Sequence, residues 1–232
     1  MIIVQRASSK LQVLQHHITM VANNETFNGQ LDSFVKEYPN FQKKTDSEHP
    51  YLKGILDIPD DEGNIVGAFS IEIHPSKDFP YAFPILTEVG GEIPCEADWH
   101  KYQDNSCCLT VPAKEKLLCK NGITLIWFVK NIAIPYFANQ LYRMQTGRYL
   151  QEYSHGADGI WEFYSELFHS QNPDVWKHCL DNTFGSGKNE RNGQCYCNSG
   201  KKYKKCHLPI ENDVWKVGKE QIIKDFKIMR LI

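Results

Sequence analysis

The feature that most restricts how this chain can fold is a cluster of candidate metal ligands near its C-terminal end. In the segment CYCNSGKKYKKCH these side chains are Cys195, Cys197, Cys206 and His207. Sets of four thiolate and imidazole ligands form closed, tetrahedral structural zinc sites, with no position left for a catalytic water. A segment this short could not bury a core of its own. The pattern therefore predicts one structural zinc ion, and free surface thiols are the less favoured alternative.

A linker precedes this cluster. The stretch FGSGKNERNG contains glycines, a serine and charges but no apolar residue after Phe184, which is typical of a connection between folded parts. Beyond the cluster, apolar residues recur near helical spacing. The sequence therefore predicts a main domain at 1–184, a zinc-binding module at 185–209, and a helical segment at 210–232 that packs back on the main domain.

Composition is that of an ordinary cytoplasmic protein. The 232 residues carry a formal net charge of −2 and are 41% hydrophobic, so no overall charge draws the chain to nucleic acid or to an anionic membrane. The N-terminus has too short an apolar run for a signal peptide. Lys130, Asn131 and Pro135 interrupt the most apolar window, which indicates a core helix and not a membrane span. Eight cysteines without a secretion signal favour metal binding and thiol chemistry over disulfides.

Apolar periodicity predicts an α+β fold. Helical spacing recurs in two N-terminal stretches, at 11–21 and 27–38. The period then changes to two. An antiparallel hairpin is predicted from the strand YLKGILDI, the turn PDDEGN and the strand IVGAFSIEI. A third strand, ILTEV, is predicted after the prolines of HPSKDFPYAFP. Helices are expected again at 121–147, where Pro135 should kink or break the helix, and in DGIWEFYSELFHS and NPDVWKHCL.

Two adjacent thiols, Cys107 and Cys108, follow a polar loop that contains His100, Asp104 and Asn105. A thiol at the junction of a loop and a strand can be accessible, and its thiolate is a strong nucleophile. For such a stretch in isolation, buried structural cysteines are nevertheless the commoner case. Covalent chemistry in this chain would be located here.

Alternation along the predicted strand CCLTV would separate the two thiols, because successive side chains of a strand face opposite sides. Cys107 would lie on an apolar face with Leu109 and Val111, where burial raises the pKa of a thiol and makes it inert. Cys108 would share the polar face with Thr110. The pattern therefore predicts Cys108 as the reactive thiol.

The segment NERNGQCYCNSGKKYKKCH resembles the SEC-C motif, a small zinc-binding module found at the C-termini of SecA and many bacterial proteins. The resemblance runs from about Asn189 to His207 and keeps every metal ligand, while Asn198 stands where the family often has glycine. It implies a role in protein docking. The lysines of GKKYKKC could instead contact phosphates, but few aromatic residues accompany them, so nucleic acid is the less favoured partner.

The order of elements around the thiols resembles the ubiquitin-conjugating fold in its bacterial form. A helix, antiparallel strands, the FPYAFP crossing, a long loop, Cys108-Leu109 and further helices follow one another over roughly 8–147. The resemblance implies an antiparallel sheet flanked by helices, with Cys108 as the catalytic thiol. Together with the SEC-C-like segment, it is similar to the stand-alone conjugating-enzyme-like proteins of short type II CBASS anti-phage operons. There, the family implies a thioester with the C-terminal glycine of a cyclic-dinucleotide synthase related to cGAS, followed by transfer to an amine of a protein substrate.

The chain departs from that family beside the thiol. Eukaryotic members carry His-Pro-Asn, in which the asparagine serves the oxyanion, whereas His100 is followed by Lys-Tyr. Asn105 or backbone N–H groups would have to stabilise the oxyanion here. Asp104 could orient an attacking lysine. His100 is either a base or, as we favour, a structural hydrogen-bonding residue.

Two further function classes stay open. A degenerate conjugating fold with a zinc module could be a non-enzymatic adaptor that binds the synthase. A cysteine protease or deconjugase would need a Cys-His-Asp/Asn set, and His100 is near Cys108 in sequence. Proximity in sequence does not establish the geometry of such a set, so we rank this class third. A thiol-sensitive adduct with a partner would distinguish the enzyme from the adaptor.

Overall fold

The chain has an α+β architecture, in agreement with the prediction. The computed structural model describes residues 26–46, 49–150, 152–185, 189–197 and 199–232. Within them lie a four-stranded antiparallel sheet, several helices and a C-terminal cluster of cysteines and histidine. The helix predicted at 11–21 lies outside the described residues. No described helix has both the length and the apolar character needed to span a bilayer.

The sheet has the order β1-β2-β3-β4, and each strand is antiparallel to the next. Its strands are β1 (Phe41–Thr45), β2 (Pro50–Pro59), β3 (Ile65–His74) and β4 (Ile85–Glu88). The hairpin β2–β3 and strand β4 confirm the prediction from two-residue periodicity. The sequence gives no such signal for β1, because only its first residue is buried and its remaining four are exposed.

The turn between β2 and β3 is formed by Asp60. Its carboxylate accepts hydrogen bonds from the backbone N–H groups of Glu62 and Asn64, at 2.9 and 2.8 Å. Gly63 adopts a φ of 88°, which glycine tolerates better than other residues. Beyond the turn, Leu56 pairs with Phe69 in the buried layer of the sheet.

Helix α1 (Phe27–Glu37) covers part of this layer. The Thr26 hydroxyl caps its first turn by accepting a bond from Gly29 N at 3.1 Å. The buried face includes Leu31 and Phe34, as the apolar spacing predicts, and also Phe27.

The helical region before residue 147 consists of α2 (Pro112–Cys119), α3 (Leu125–Phe128), a π-helical segment (Val129–Ala133) and α4 (Ile134–Thr146). The predicted irregularity at Pro135 is present as this π-helical segment just before it. Proline has no N–H to donate to the carbonyl four residues earlier, and its ring crowds that carbonyl. The wider turn accommodates both effects without ending the helix.

The chain divides into two compact units. One contains the described residues up to 109 together with 121–150, and the other contains 110–120 together with the described residues from 152 onward. The second unit holds α2, α5 (Ala157–Phe168), α6 (Pro173–Phe184), α7 (His207–Val217) and α8 (Lys219–Ile228).

The two units divide the chain at points other than residue 184, the end of the main domain predicted from the linker. Tyr164, Trp176, Val214 and Phe226 belong to one buried cluster, so the helices on both sides of that linker share a core. A composition of glycine and charge identifies a connection, but it does not reveal that the flanking helices pack on each other.

Candidate functional site

The four predicted metal ligands lie together. Their ligand atoms are all within 4.8 Å of one another. His207 Nδ1 lies 3.3 Å from Cys195 Sγ and 3.4 Å from Cys206 Sγ, and the sulfurs of Cys197 and Cys206 are 3.5 Å apart. Bond lengths of about 2.0–2.3 Å to a tetrahedral metal imply ligand separations of roughly 3.3–3.8 Å. The side chains therefore fit a single metal ion, bound by the Nδ1 atom of the histidine.

A small hairpin and the start of a helix bring these ligands together. Cys195 N donates to Lys201 O, and Tyr203 N donates to Gly193 O, both at 2.9 Å. Gly200 turns the chain with a φ of 72°. The remaining two ligands, Cys206 and His207, stand at the beginning of α7.

The electrostatics of the cluster differ from one ligand to the next. Burial raises the pKa of Cys195 to about 11. For Cys197, burial acts in the same direction, but hydrogen bonds from Ser199 and the neighbouring thiols bring the pKa down to about 7. Burial lowers the pKa of His207 and so favours the neutral imidazole that binds metals. Metal binding at neutral pH would therefore displace a proton from Cys195.

The strand predicted for CCLTV is wrong. Ser106 and Cys107 form isolated bridges with Thr87 and Lys101, respectively, and residues 108–111 form no strand. The pairing stops because Cys108 N donates to His100 O at 2.7 Å, within the loop itself, and because Pro112 already begins α2. The alternation of strand faces therefore does not determine which thiol is exposed.

The two thiols nevertheless differ in their surroundings. Cys107 N donates to Leu86 O at 2.8 Å, and burial raises the pKa of its thiol to about 12. Cys107 and Cys108 are both partly exposed. The Tyr102 hydroxyl hydrogen-bonds to the Cys108 side chain, and this contact, together with burial, raises the pKa of Tyr102 to about 12. Of the adjacent pair, Cys107 is the thiol that desolvation holds protonated.

The predicted polar residues occupy defined positions in the same loop. His100 has a φ of 48°, and its ring packs edge-on against Tyr149 with ring centroids 5.2 Å apart. Asn105 also has a positive φ, of 66°, and its Oδ1 accepts a bond from Cys95 Sγ at 3.2 Å. Asp104 accepts bonds from the N–H and hydroxyl of Ser106, which lower the pKa of its carboxyl group. These bonds make Asp104 part of the turn itself.

A buried ion pair beneath the loop was missed by the sequence analysis. Lys101 Nζ lies 2.5 Å from Glu88 Oε2 and donates to Ile93 O at 3.0 Å, and the two charged side chains are 1% and 0% exposed. Glu88 also accepts a bond from Gly91 N at 2.7 Å. The sequence could have indicated that Glu88 is buried, because it stands two residues after Leu86 and both side chains face the buried side of β4. The sequence carried no comparable signal for Lys101.

Helix α4 holds the opposite side of the loop. Tyr136, Gln140 and Arg143, one turn apart, donate side-chain hydrogen bonds to three successive carbonyls, those of His100, Trp99 and Asp98 respectively. The Tyr136 and Gln140 bonds measure 3.0 and 2.9 Å. The polar positions i, i+4 and i+7 of one helix face were the sequence signal for this arrangement.

Comparison with known proteins identifies the C-terminal cluster. No curated protein and no solved structure matches the chain. Residues 191–209 match the SEC-C motif. The matched segment contains all four side chains that could bind a metal ion, which confirms the resemblance of this segment to the motif.

Proposed function

We propose that this protein is a ubiquitin-conjugating-like acyl-carrier enzyme whose nucleophile is Cys108. The observation that carries the proposal is the contrast between two adjacent thiols. Both thiols are partly exposed at the end of a firmly held loop, but desolvation raises the pKa of Cys107 to about 12 and so keeps it protonated. The Tyr102 hydroxyl hydrogen-bonds to the Cys108 side chain and so fixes its position in the loop.

The reaction is acyl transfer in two steps. The Cys108 thiolate attacks the carbonyl carbon of an activated C-terminal acyl group, expels the activating group and holds the acyl group as a thioester. An amine, such as that of a lysine, then attacks the thioester. The thiolate leaves, the nitrogen loses a proton, and an amide or isopeptide bond results.

Neighbouring residues support the same reaction. Asn105 presents its oxygen to Cys95, which leaves its amide N–H groups as donors for the oxyanion. Asp104 would orient the attacking amine, and His100 would shape the loop through its backbone. The order of α1, the antiparallel strands, the proline-rich crossing, the thiol and the later helices supports a ubiquitin-conjugating-like fold for the first unit.

Zinc is the metal we assign to the C-terminal cluster, since three thiolates and one imidazole suit it best. It would be structural, and the surrounding module would dock a protein partner in the cytoplasm. The acyl donor we propose is the C-terminal glycine of a cGAS-like cyclic-dinucleotide synthase in anti-phage defence. A membrane or nucleic acid is not part of this proposal.

Co-expression with such a synthase tests the proposal. The wild type should form a higher-mass species that thiol reductants cleave, and Cys108→Ser should convert it into a more stable oxyester. Cys108→Ala should abolish it, while Cys107→Ala is the matched control that should retain it. If Cys107→Ala loses the higher-mass species and Cys108→Ala retains it, the nucleophile is Cys107 and not Cys108. A complex without any covalent species would favour the non-enzymatic adaptor, for which the SEC-C segment is the supporting observation.

A further inference from the structure

We propose that the metal site and the C-terminal helices form one cooperative structure, and that Glu211 is the positioning residue that connects them. Occupancy of the site would then control whether the helices of the second unit stay folded. This inference depends on the zinc site proposed above and does not depend on the acyl-transfer reaction.

Helix α7 belongs to the metal site and to the core at the same time. It begins at the ligand His207, directly after the ligand Cys206. Further along the same helix, Ile210, Val214 and Val217 are buried in the core of the second unit. The direction of α7 is therefore fixed at its start by two metal ligands and along its length by apolar packing.

Glu211 connects the helix to the rest of the ligand set. It lies one turn after His207 and is only 7% exposed. One carboxylate oxygen accepts a hydrogen bond from the Tyr196 hydroxyl at 2.8 Å, and the other accepts one from the Tyr203 hydroxyl. Tyr196 stands between the ligands Cys195 and Cys197. One carboxylate thus holds both sides of the hairpin that carries the ligands.

This carboxylate depends on those two hydroxyl donors. Among the described residues, no lysine, arginine or histidine forms a salt bridge with Glu211. A buried carboxylate that loses its donors is strongly destabilising. Loosening of the hairpin would therefore be transmitted to α7 through Glu211.

Tyr196 extends the connection to helix α6. Its ring lies 4.6 Å from the ring of His178 on that helix and 4.7 Å from the ring of the ligand His207. Asn189 Nδ2, at the entry to the module, donates to Asn182 Oδ1 of α6 at 2.9 Å. The hairpin is thus packed into the helical unit on two sides.

The first test is the rate of metal transfer from the full-length protein to a chromogenic chelator. Groups hydrogen-bonded to metal ligands typically change metal affinity 10- to 100-fold; Glu211 acts one step further away, through Tyr196 and Tyr203, so Glu211→Ala should release zinc faster than wild type by a factor of up to about 10. Asp213→Ala is the matched control on the same helix, where the carboxylate is partly exposed and pairs with lysines outside the ligand hairpin, and it should release zinc at the wild-type rate. Equal rates in the two variants would overturn the inference.

If Glu211→Ala fails to fold, three milder variants provide the same test: Glu211→Gln, Tyr196→Phe and Tyr203→Phe. Each removes the charge or the donors with little change of volume and should accelerate metal release. Wild-type release rates in all of them would overturn the proposed role of Glu211.

The second test removes the metal from wild type and records the helical circular dichroism. We expect a loss larger than the short module could account for, with recovery when zinc is returned. An unchanged helical signal in metal-free protein would overturn the inference while leaving the zinc site intact. Freshly purified, reduced protein without bound metal would overturn the zinc site and this inference together.

Discussion

Lys101 and Lys53 each pair with a glutamate of the sheet, but the two pairs differ in burial. The Lys101–Glu88 side chains are 1% and 0% exposed, whereas those of Lys53 and Glu72 are 46% and 18% exposed. A charge left behind in the interior is costly, while an exposed partner is solvated by water. The same substitution should therefore have very different effects at the two lysines.

We predict that Lys101→Met lowers the free energy of unfolding by about 3–5 kcal/mol, because Glu88 loses its buried partner. Urea denaturation provides the measurement, and Lys53→Met is the control that should leave the midpoint almost unchanged. The double change Lys101→Met with Glu88→Leu should recover much of the loss, since no unpaired charge remains. A similar small effect at both lysines would show that the Lys101 site is hydrated.

The Asp225 carboxyl group should make the stability of the folded protein fall as the pH rises. It is 1% exposed and accepts hydrogen bonds from the Tyr164 hydroxyl at 2.9 Å and from Gln221 Nε2 at 2.8 Å. Burial raises the pKa of its carboxyl group above the ordinary 3.8. The folded protein therefore holds this proton more tightly than the unfolded chain does, and the associated stability is lost as the pH rises from about 3.8 through the folded-state pKa.

Asp225→Asn should remove that loss, because the amide does not ionise. We predict that the variant gains stability relative to wild type as the pH rises from 4 to 7, as followed by thermal unfolding at each pH. Asp213→Asn, at a partly exposed carboxylate on α7, should show no such trend. A pH-independent difference between Asp225→Asn and wild type would contradict the raised pKa.

At the scale of single elements, helix α4 should act as a rigid support for the loop that carries the candidate thiol. Gln140 is 1% exposed and uses both ends of its amide, with Nε2 donating to Trp99 O and Oε1 accepting from the Tyr149 hydroxyl. Gln140→Leu leaves both partners without this bond at nearly constant volume.

We predict that Gln140→Leu costs about 1–3 kcal/mol of stability and speeds amide hydrogen exchange in the loop at 98–108. Asn131→Ala is the control, because the Asn131 side chain donates within its own helical turn, to Trp127 O. Faster exchange spread evenly over the whole first unit would argue against a local support.

The sequence predicted those elements whose pattern follows from their own burial. The hairpin β2–β3 alternates because one of its faces is buried, and α1 has a stripe because it lies on one side of the sheet. Strand β1 could not be predicted, since one buried residue makes no pattern. The run CCLTV alternates by chance. Its path is set by a long-range hydrogen bond to His100 O and by the helix that begins at Pro112.

The two candidate sites also differ in how far the sequence could predict them. The metal ligands lie close in sequence, so their spacing was sufficient to predict that they would meet. The surroundings of Cys108 come from β4, from the loop and from α4, which are separated along the chain. Residues such as Lys101 and Gln140 acquire their roles only through that packing, and the sequence gives no spacing from which to infer it.

For the whole molecule, the shared core of the second unit makes the linker a poor place to divide the protein. Trp176 and Tyr164 are fully buried in a cluster completed by Val214 and Phe226. A fragment that ends at residue 184 lacks both of the latter.

We predict that fragment 1–184 exposes this apolar surface and therefore binds the dye ANS and aggregates, whereas the full chain does neither. Dye fluorescence and size-exclusion chromatography of the two proteins provide the comparison. Fragment 1–209 is the control for the metal module, and we expect it to resemble fragment 1–184 because it still lacks the core residues of α7 and α8. A monomeric fragment 1–184 that binds no dye would restore the boundary at the linker.

The two edge strands of the sheet also differ in whether a strand from a second molecule could pair with them. On the outer side of β4, Ser106 bridges to Thr87, while among the described residues β1 has a partner only in β2. Strand addition by a second copy would therefore occur at β1, where two strands would bring their Lys44 side chains together, while Lys43 pairs with Asp32. Like charges oppose that approach at low ionic strength and are screened above about 0.1 M salt. Concentrated solutions of this protein should consequently be most stable against self-association when little salt is present.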